Sequence, residues 1–219
     1  MLKQILDWLE VWAILLPLVI LLIYRKQPKI YQPVIIYLFV ALFLNLAADI
    51  IWKQKRLGLT IPTDNNNPIY NLHSIARLLL FSVFFIELKQ PILSNIKKIL
   101  PYLFILFVII NFYFFDYFFE RKISHRLHAV EAGILLLYCM LYYFFLIKEE
   151  GGSFIKLSSF WIVTGLSVFV LVSFPIYIYY PVILTDYEKF TEKIWLAQKI
   201  SFLIFCILTA NAFAQHNNE

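Results

Sequence analysis

Residues 102–115 read YLFILFVIINFYFF. The segment carries no formal charge, and its one amide is Asn111. Its apolar residues do not alternate, as in a half-buried strand, nor do they leave one face polar, as in a surface helix. A segment that is apolar all round needs an apolar surrounding. In lipid the backbone must satisfy its own N–H and C=O groups, which an α-helix does within one segment. Crossing ~30 Å of hydrocarbon takes about 20 helical residues at ~1.5 Å rise each. Read outward to its polar borders, the stretch becomes an apolar run over 98–116.

Seven such runs cover the chain, at about 10–24, 31–52, 68–88, 98–116, 124–147, 157–180 and 193–214. All but the first approach spanning length, and the first reaches it if its helix begins near Ile5. That run is not a cleaved leader, because Asp7 and Glu10 stand early in it and no small-x-small site follows. The connectors are short, the longest being KQKRLGLTIPTDNNNP (53–68). The expected fold is all-α: a polytopic membrane protein, one transmembrane domain over 1–219 folded as a seven-transmembrane-helix bundle.

Composition agrees. Only 15% of residues are charged, against ~25% in soluble domains. At 62% hydrophobic, a globule of this size could not bury its apolar surface in water. A soluble enzyme and a disordered chain are excluded. The net charge of +5 would suggest nucleic acid in a soluble protein. Here the basic residues flank apolar runs and meet lipid phosphates, so the expected partner is the lipid bilayer and no nucleic acid. Cys139 and Cys206 lie inside apolar runs and suggest neither a disulfide framework nor a zinc finger. Basic residues divide nine to eight between the two sides of a seven-span topology. The flanks of the first helix favour an outside N-terminus.

Four formal charges fall inside the runs: Asp49, Arg77, Glu131 and Lys199. A charge at membrane depth costs several kcal/mol unless paired or hydrated. Two acids and two bases sum to zero, as pairing would require. With helix direction alternating, all four occupy one layer in the N-terminal-side half of the bundle. His73 and Arg77 share a helix face at i, i+4, as do Asn45 and Asp49, and His128 and Glu131 lie at i, i+3. The expected ligand-binding set is Asn45, Asp49, His73, Arg77, His128, Glu131 and Lys199. Arg77 and Lys199 would take an anionic small molecule or lipid, while Asp49 and Glu131 neutralise them at rest. The opposite half carries no buried formal charge, which argues against a simple channel. In the competing structural reading the same groups only fix helix packing.

Specific chemistries fare less well. A zinc hydrolase resembling alkaline ceramidases or adiponectin receptors needs a His-x-x-x-His pair on its last helix. Here that helix carries Lys199 and no histidine, His216 lies in the tail, and Arg77 with Lys199 would repel a cation. AQKISFLIF (197–205) is loosely similar to the lysine segment of microbial rhodopsins, but Lys199 stands too near its helix start for retinal. No Gly-x-Ser-x-Gly elbow is present. No catalytic residue, metal or cofactor is therefore expected. FWIVTGLSVFVLVSFPIYI (160–178) and IWLAQKISFLIFCILTANAFA (194–214) resemble uncharacterised seven-helix bacterial sensor-like membrane proteins, through Phe160, Trp161, Gly165 and the Trp195 helix. The resemblance implies a receptor or sensor in a bacterial inner membrane, and with no output domain expected after Glu219 the signal would pass to a separate cytoplasmic partner. The alternatives are a small-solute transporter, a lipid-modifying enzyme using His128 and Glu131 as acid and base, and an accessory protein.

Overall fold

Proline opens two of the long helices. Pro33 and Pro68 stand in first turns, where a missing N–H forfeits no helical hydrogen bond. The computed structural model describes residues 6–148, 154–186 and 190–215, the side chains of 184–186 excepted. Its principal helices are α1 (Leu9–Ile23), α2 (Gln32–Lys53), α3 (Asn67–Glu87), α4 (Ser94–Phe114), α5 (His125–Lys148), α6 (Ser158–Ile178), α7 (Tyr180–Asp186) and α8 (Thr191–Gln215). Short 3-10 turns at Lys29–Tyr31 and Phe154–Lys156 lead into α2 and α6. Among the described residues there is no strand.

Six of these helices are long and apolar enough to cross a membrane, α2 being counted with its leading 3-10 turn. The exceptions are α7, at seven residues, and α1, at 15 residues with Pro17 inside it. At ~1.5 Å per residue it is shorter than ~30 Å of hydrocarbon. The expected start near Ile5 lies outside the described residues, as does His216. Six long apolar helices mark an integral membrane protein, and among the described residues the candidate spans number six, with a shorter apolar helix beside them. The fourth run starts earlier than its hydropathy border, at Ser94. The connector after the sixth run is not all loop, since Tyr180–Asp186 is helical.

Six helices close a ring in the order α1, α2, α3, α5, α6, α8, with α8 returning to α1. α4 stands outside, against α3 and α5. Its buried residues are Lys97, Phe104 and Asn111. That spacing of seven repeats after two turns and makes one narrow seam. The tightest contact in the ring is between α6 and α8. A Cβ added at Gly165 would meet the Phe205 Cα at 3.0 Å and its carbonyl oxygen at 3.1 Å, so only glycine fits there.

The ring interior divides by polarity. Tyr37, Phe81 and Phe205 pack edge-on or tilted, with ring centroids 5.1–6.2 Å apart, and are at most 1% exposed. Phe85 stacks on Tyr138 at 5.0 Å. Toward the N-terminal side this aromatic layer gives way to amides and charges.

Candidate functional site

Asparagines organise the mouth of the bundle. Asn65 Oδ1 accepts the Asn67 N–H at 3.1 Å at the entry to α3. Its Nδ2 donates to the Phe119 and Glu120 carbonyls at 2.8 and 3.2 Å, and Asn71 Nδ2 donates to the Phe118 carbonyl at 3.2 Å. These bonds hold the α4–α5 loop against the start of α3. At the end of α2, Gln54 Nε2 donates to the Thr63 carbonyl and Gln54 Oε1 accepts the Ile61 N–H, each at 2.9 Å. The two loops, thus fixed, contribute Lys55, Arg56, Asn66, Arg121 and Ile123 to the rim of the space between the helices.

That space is a cavity of about 1020 Å³ opening on the N-terminal side. α1, α2, α3, α5, α6 and α8 all contribute to its wall. Six of the seven expected site residues line it: Asn45, Asp49, His73, Arg77, His128 and Lys199. Glu131 does not. It is fully buried behind Arg77, which donates Nε–H to Glu131 Oε1 and Nη2–H to Oε2 at 2.7 Å. Ser74 Oγ–H adds a 2.6 Å bond to the same Oε2. Ser74 and Arg77 share one face of α3, and together they clamp α3 to α5 with a bidentate, charge-assisted contact. The guanidinium carbon also lies 4.9 Å from the Phe169 ring centroid.

The second expected pairing takes a different form. Asp49 Oδ2 lies 2.8 Å from Lys53 Nζ, one turn on along α2, and not on Lys199. Lys53 was counted by sequence among the loop cations. It is instead 9% exposed, donates to the Asp7 carbonyl at 2.7 Å and lies 3.9 Å from the Trp8 ring centroid. At the rim, Arg56 pairs with Asp7 and Arg121 with Asp64. Exposed pairs of that kind contribute ~0–1 kcal/mol.

Lys199 has no carboxylate within ion-pair distance among the described residues. It is half-buried, one turn beyond Trp195 on α8, and faces the cavity. Glu10, from the first turn of α1, reaches into the same space. Among the described residues it also lacks an ion-pair partner, and Lys199 is the cation that acts on it most strongly. Sequence reasoning had used Glu10 only to reject a leader. Its place on an apolar helix, at the same depth as the other acids, was the available signal.

Both histidines sit in the wall. His73 stacks on Tyr37 at 5.7 Å, and His128 stacks on Tyr177 at 4.6 Å. His128 Nδ1 stands 3.8 Å from Glu131 Oε2, too far for a direct hydrogen bond. Among the described residues, His73 Nε2 and both His128 ring nitrogens are buried without a hydrogen-bond partner. Tyr177 accepts a 2.8 Å bond from Gln198 Nε2. By position Tyr177 and Trp195 suit an interfacial aromatic belt, but both line the cavity. Among the described residues no three His, Cys, Asp or Glu side chains gather as a metal site.

Compared with protein-family models, curated proteins and solved structures, the chain matches none.

Proposed function

We propose that this chain is a receptor or sensor of the bacterial inner membrane, built as a seven-span bundle with its N-terminus outside. Its cavity binds a small solute through an anionic group. A separate cytoplasmic protein receives the signal. One observation carries the reading: Lys199 faces a large cavity with no counter-ion among the described residues, while Arg77 and Lys53 each hold a carboxylate. A half-buried ammonium without a counter-ion is an anchor for a ligand's negative group. Arg77 lines the same wall with its charge already met, so it shapes and polarises the site while Lys199 supplies the open charge. The aromatic layer of Tyr37, Phe81 and Phe205 beneath Arg77 favours a closed, ligand-detecting vestibule over a conducting path.

The test is thermal unfolding of the full chain in nanodiscs, with acetate, longer monocarboxylates, inorganic phosphate and the common amino acids as probes. A binder at one hundred times its Kd adds about 2.7 kcal/mol. That raises the midpoint by roughly 5–10 °C for a chain of this size. Lys199→Gln should keep the unliganded midpoint within a few degrees and lose the ligand response. If no probe shifts the wild-type midpoint, or Lys199→Gln responds equally, the reading fails. Uptake of the same probe into proteoliposomes would turn the assignment to a transporter.

A further inference from the structure

The deep charges of the cavity fall into two kinds. Arg77 with Glu131 and Asp49 with Lys53 are closed pairs, each carrying no net charge. Glu10 and Lys199 are open: both line the cavity, both are half-buried, and neither has an opposite charge within 4.0 Å among the described residues. They come from adjacent helices, since α1 packs on α8. Of the charged side chains acting on Glu10, Lys199 acts most strongly. One negative and one positive side chain thus flank the same space without closing on each other.

Charge balance then constrains the occupant. A simple anion seated on Lys199 would leave Glu10 uncompensated and would be repelled by it. A simple cation on Glu10 would meet the same problem at Lys199. A solute that carries both charges satisfies both side chains. We infer that the cavity ligand is a small zwitterion of the amino-acid type, with its carboxylate on Lys199 and its ammonium on Glu10. This inference rests on the ligand-binding reading above and names the class of solute.

The rest of the wall suits such a molecule. Trp52, Tyr70 and Trp195 offer aromatic surface for an ammonium or an apolar side chain. His73 and His128 carry buried ring nitrogens without a hydrogen-bond partner among the described residues. A cavity of about 1020 Å³ holds an amino acid with room for ordered water.

Two variants and matched probes separate the outcomes. The full chain in nanodiscs is melted with each of the common amino acids. The strongest stabiliser is then compared with its deaminated acid, which lacks the cation, and its decarboxylated amine, which lacks the anion. Leucine, for example, is matched by 4-methylpentanoate and 3-methylbutylamine. The wild type should bind the zwitterion at least about tenfold more tightly than either analogue. Glu10→Gln should lose most of that preference and bind the deaminated acid as well as the zwitterion or better. Lys199→Gln should lose the acid and keep weak affinity for the amine. Equal binding of zwitterion and acid by the wild type, with no change in Glu10→Gln, overturns the zwitterion assignment and leaves the anion site standing. No binding of any probe overturns both. Unliganded midpoints and monodisperse elution of the two variants guard against misfolding. If Glu10→Gln alone is unstable, Glu10→Asp replaces it and should retain the zwitterion preference with reduced affinity.

Discussion

α3 and α4 are each 21 residues long, and both are apolar enough to cross a membrane. Half of the apolar segment of α3 is buried inside the protein, against 17% for α4. Hydropathy does not separate them. The difference lies in where each helix keeps its polar atoms. α3 buries Asn67, Asn71, His73, Ser74, Arg77 and Ser82, spread over a broad face. α4 buries only Lys97, Phe104 and Asn111, along a seam one side chain wide. In hydrocarbon, apolar surface gains nothing by turning inward, because lipid tails are as apolar as leucine. Polar groups lose heavily if they face outward. A transmembrane helix is therefore drawn into the bundle by its polar side chains, and α4 has too few to be drawn far.

Unpairing α3 should break this contrast most visibly. Glu131→Gln leaves the Arg77 guanidinium buried without its counter-charge, at an expected cost of about 3–5 kcal/mol. SDS unfolding titrations in mixed micelles would read it. The double change Arg77→Met with Glu131→Leu should recover most of that loss, because matched apolar replacement of a buried pair is often neutral or stabilising. If the double variant stays as unstable as the single one, the pair does more than satisfy itself. Asn71→Leu comes next. Losing its bond to the Phe118 carbonyl should cost about 1 kcal/mol and speed amide exchange in the α4–α5 loop.

On α4 the effects should shrink. Asn111 is fully buried and donates to Asp116 Oδ2 and Ser124 Oγ, both at 3.1 Å. Asn111→Leu should cost about 0.6 kcal/mol, the average for a polar contact between membrane helices. Ile109 is 61% exposed, and Ile109→Ala should stay within about 0.5 kcal/mol of wild type. A loss of 2 kcal/mol or more at Ile109 would mean that α4 has a partner on its outer face.

The same contrast explains how much was legible in the sequence. Helix existence follows from apolar runs bounded by charge, and six long helices stand where the runs stand. The polar layer was legible because i, i+3 and i, i+4 spacing places His73 with Arg77 and His128 near Glu131 on fixed faces. Depth along the membrane normal can be counted residue by residue. Rotation about each helix axis cannot, where a run is apolar all round, so neither the ring order nor the exile of α4 was readable. Two partners were missed for the same reason. Lys53 ends its run and reads as an interfacial cation, yet its stem folds inward to Asp49. Glu10 begins its run and reads as flanking charge, yet α1 turns it toward α8. By position Tyr177 suits the interface, yet its ring is stacked on His128.

The depth of the cavity has an electrical consequence for a bundle that spans the bilayer. Arg77 is the eleventh of the 21 residues of α3, so the vestibule reaches about 15 Å down that helix. Water and ions in the vestibule conduct, so the membrane voltage falls mainly across the aromatic layer below it, and the field there is roughly twice that of an undisturbed bilayer. A lone guanidinium at that boundary would be driven by up to about 2.3 kcal/mol per 100 mV. Joined to Glu131 it presents no net charge, and the field can only torque the pair. The Arg77–Glu131 clamp thus gives the membrane field no net charge to drive at the floor of the vestibule.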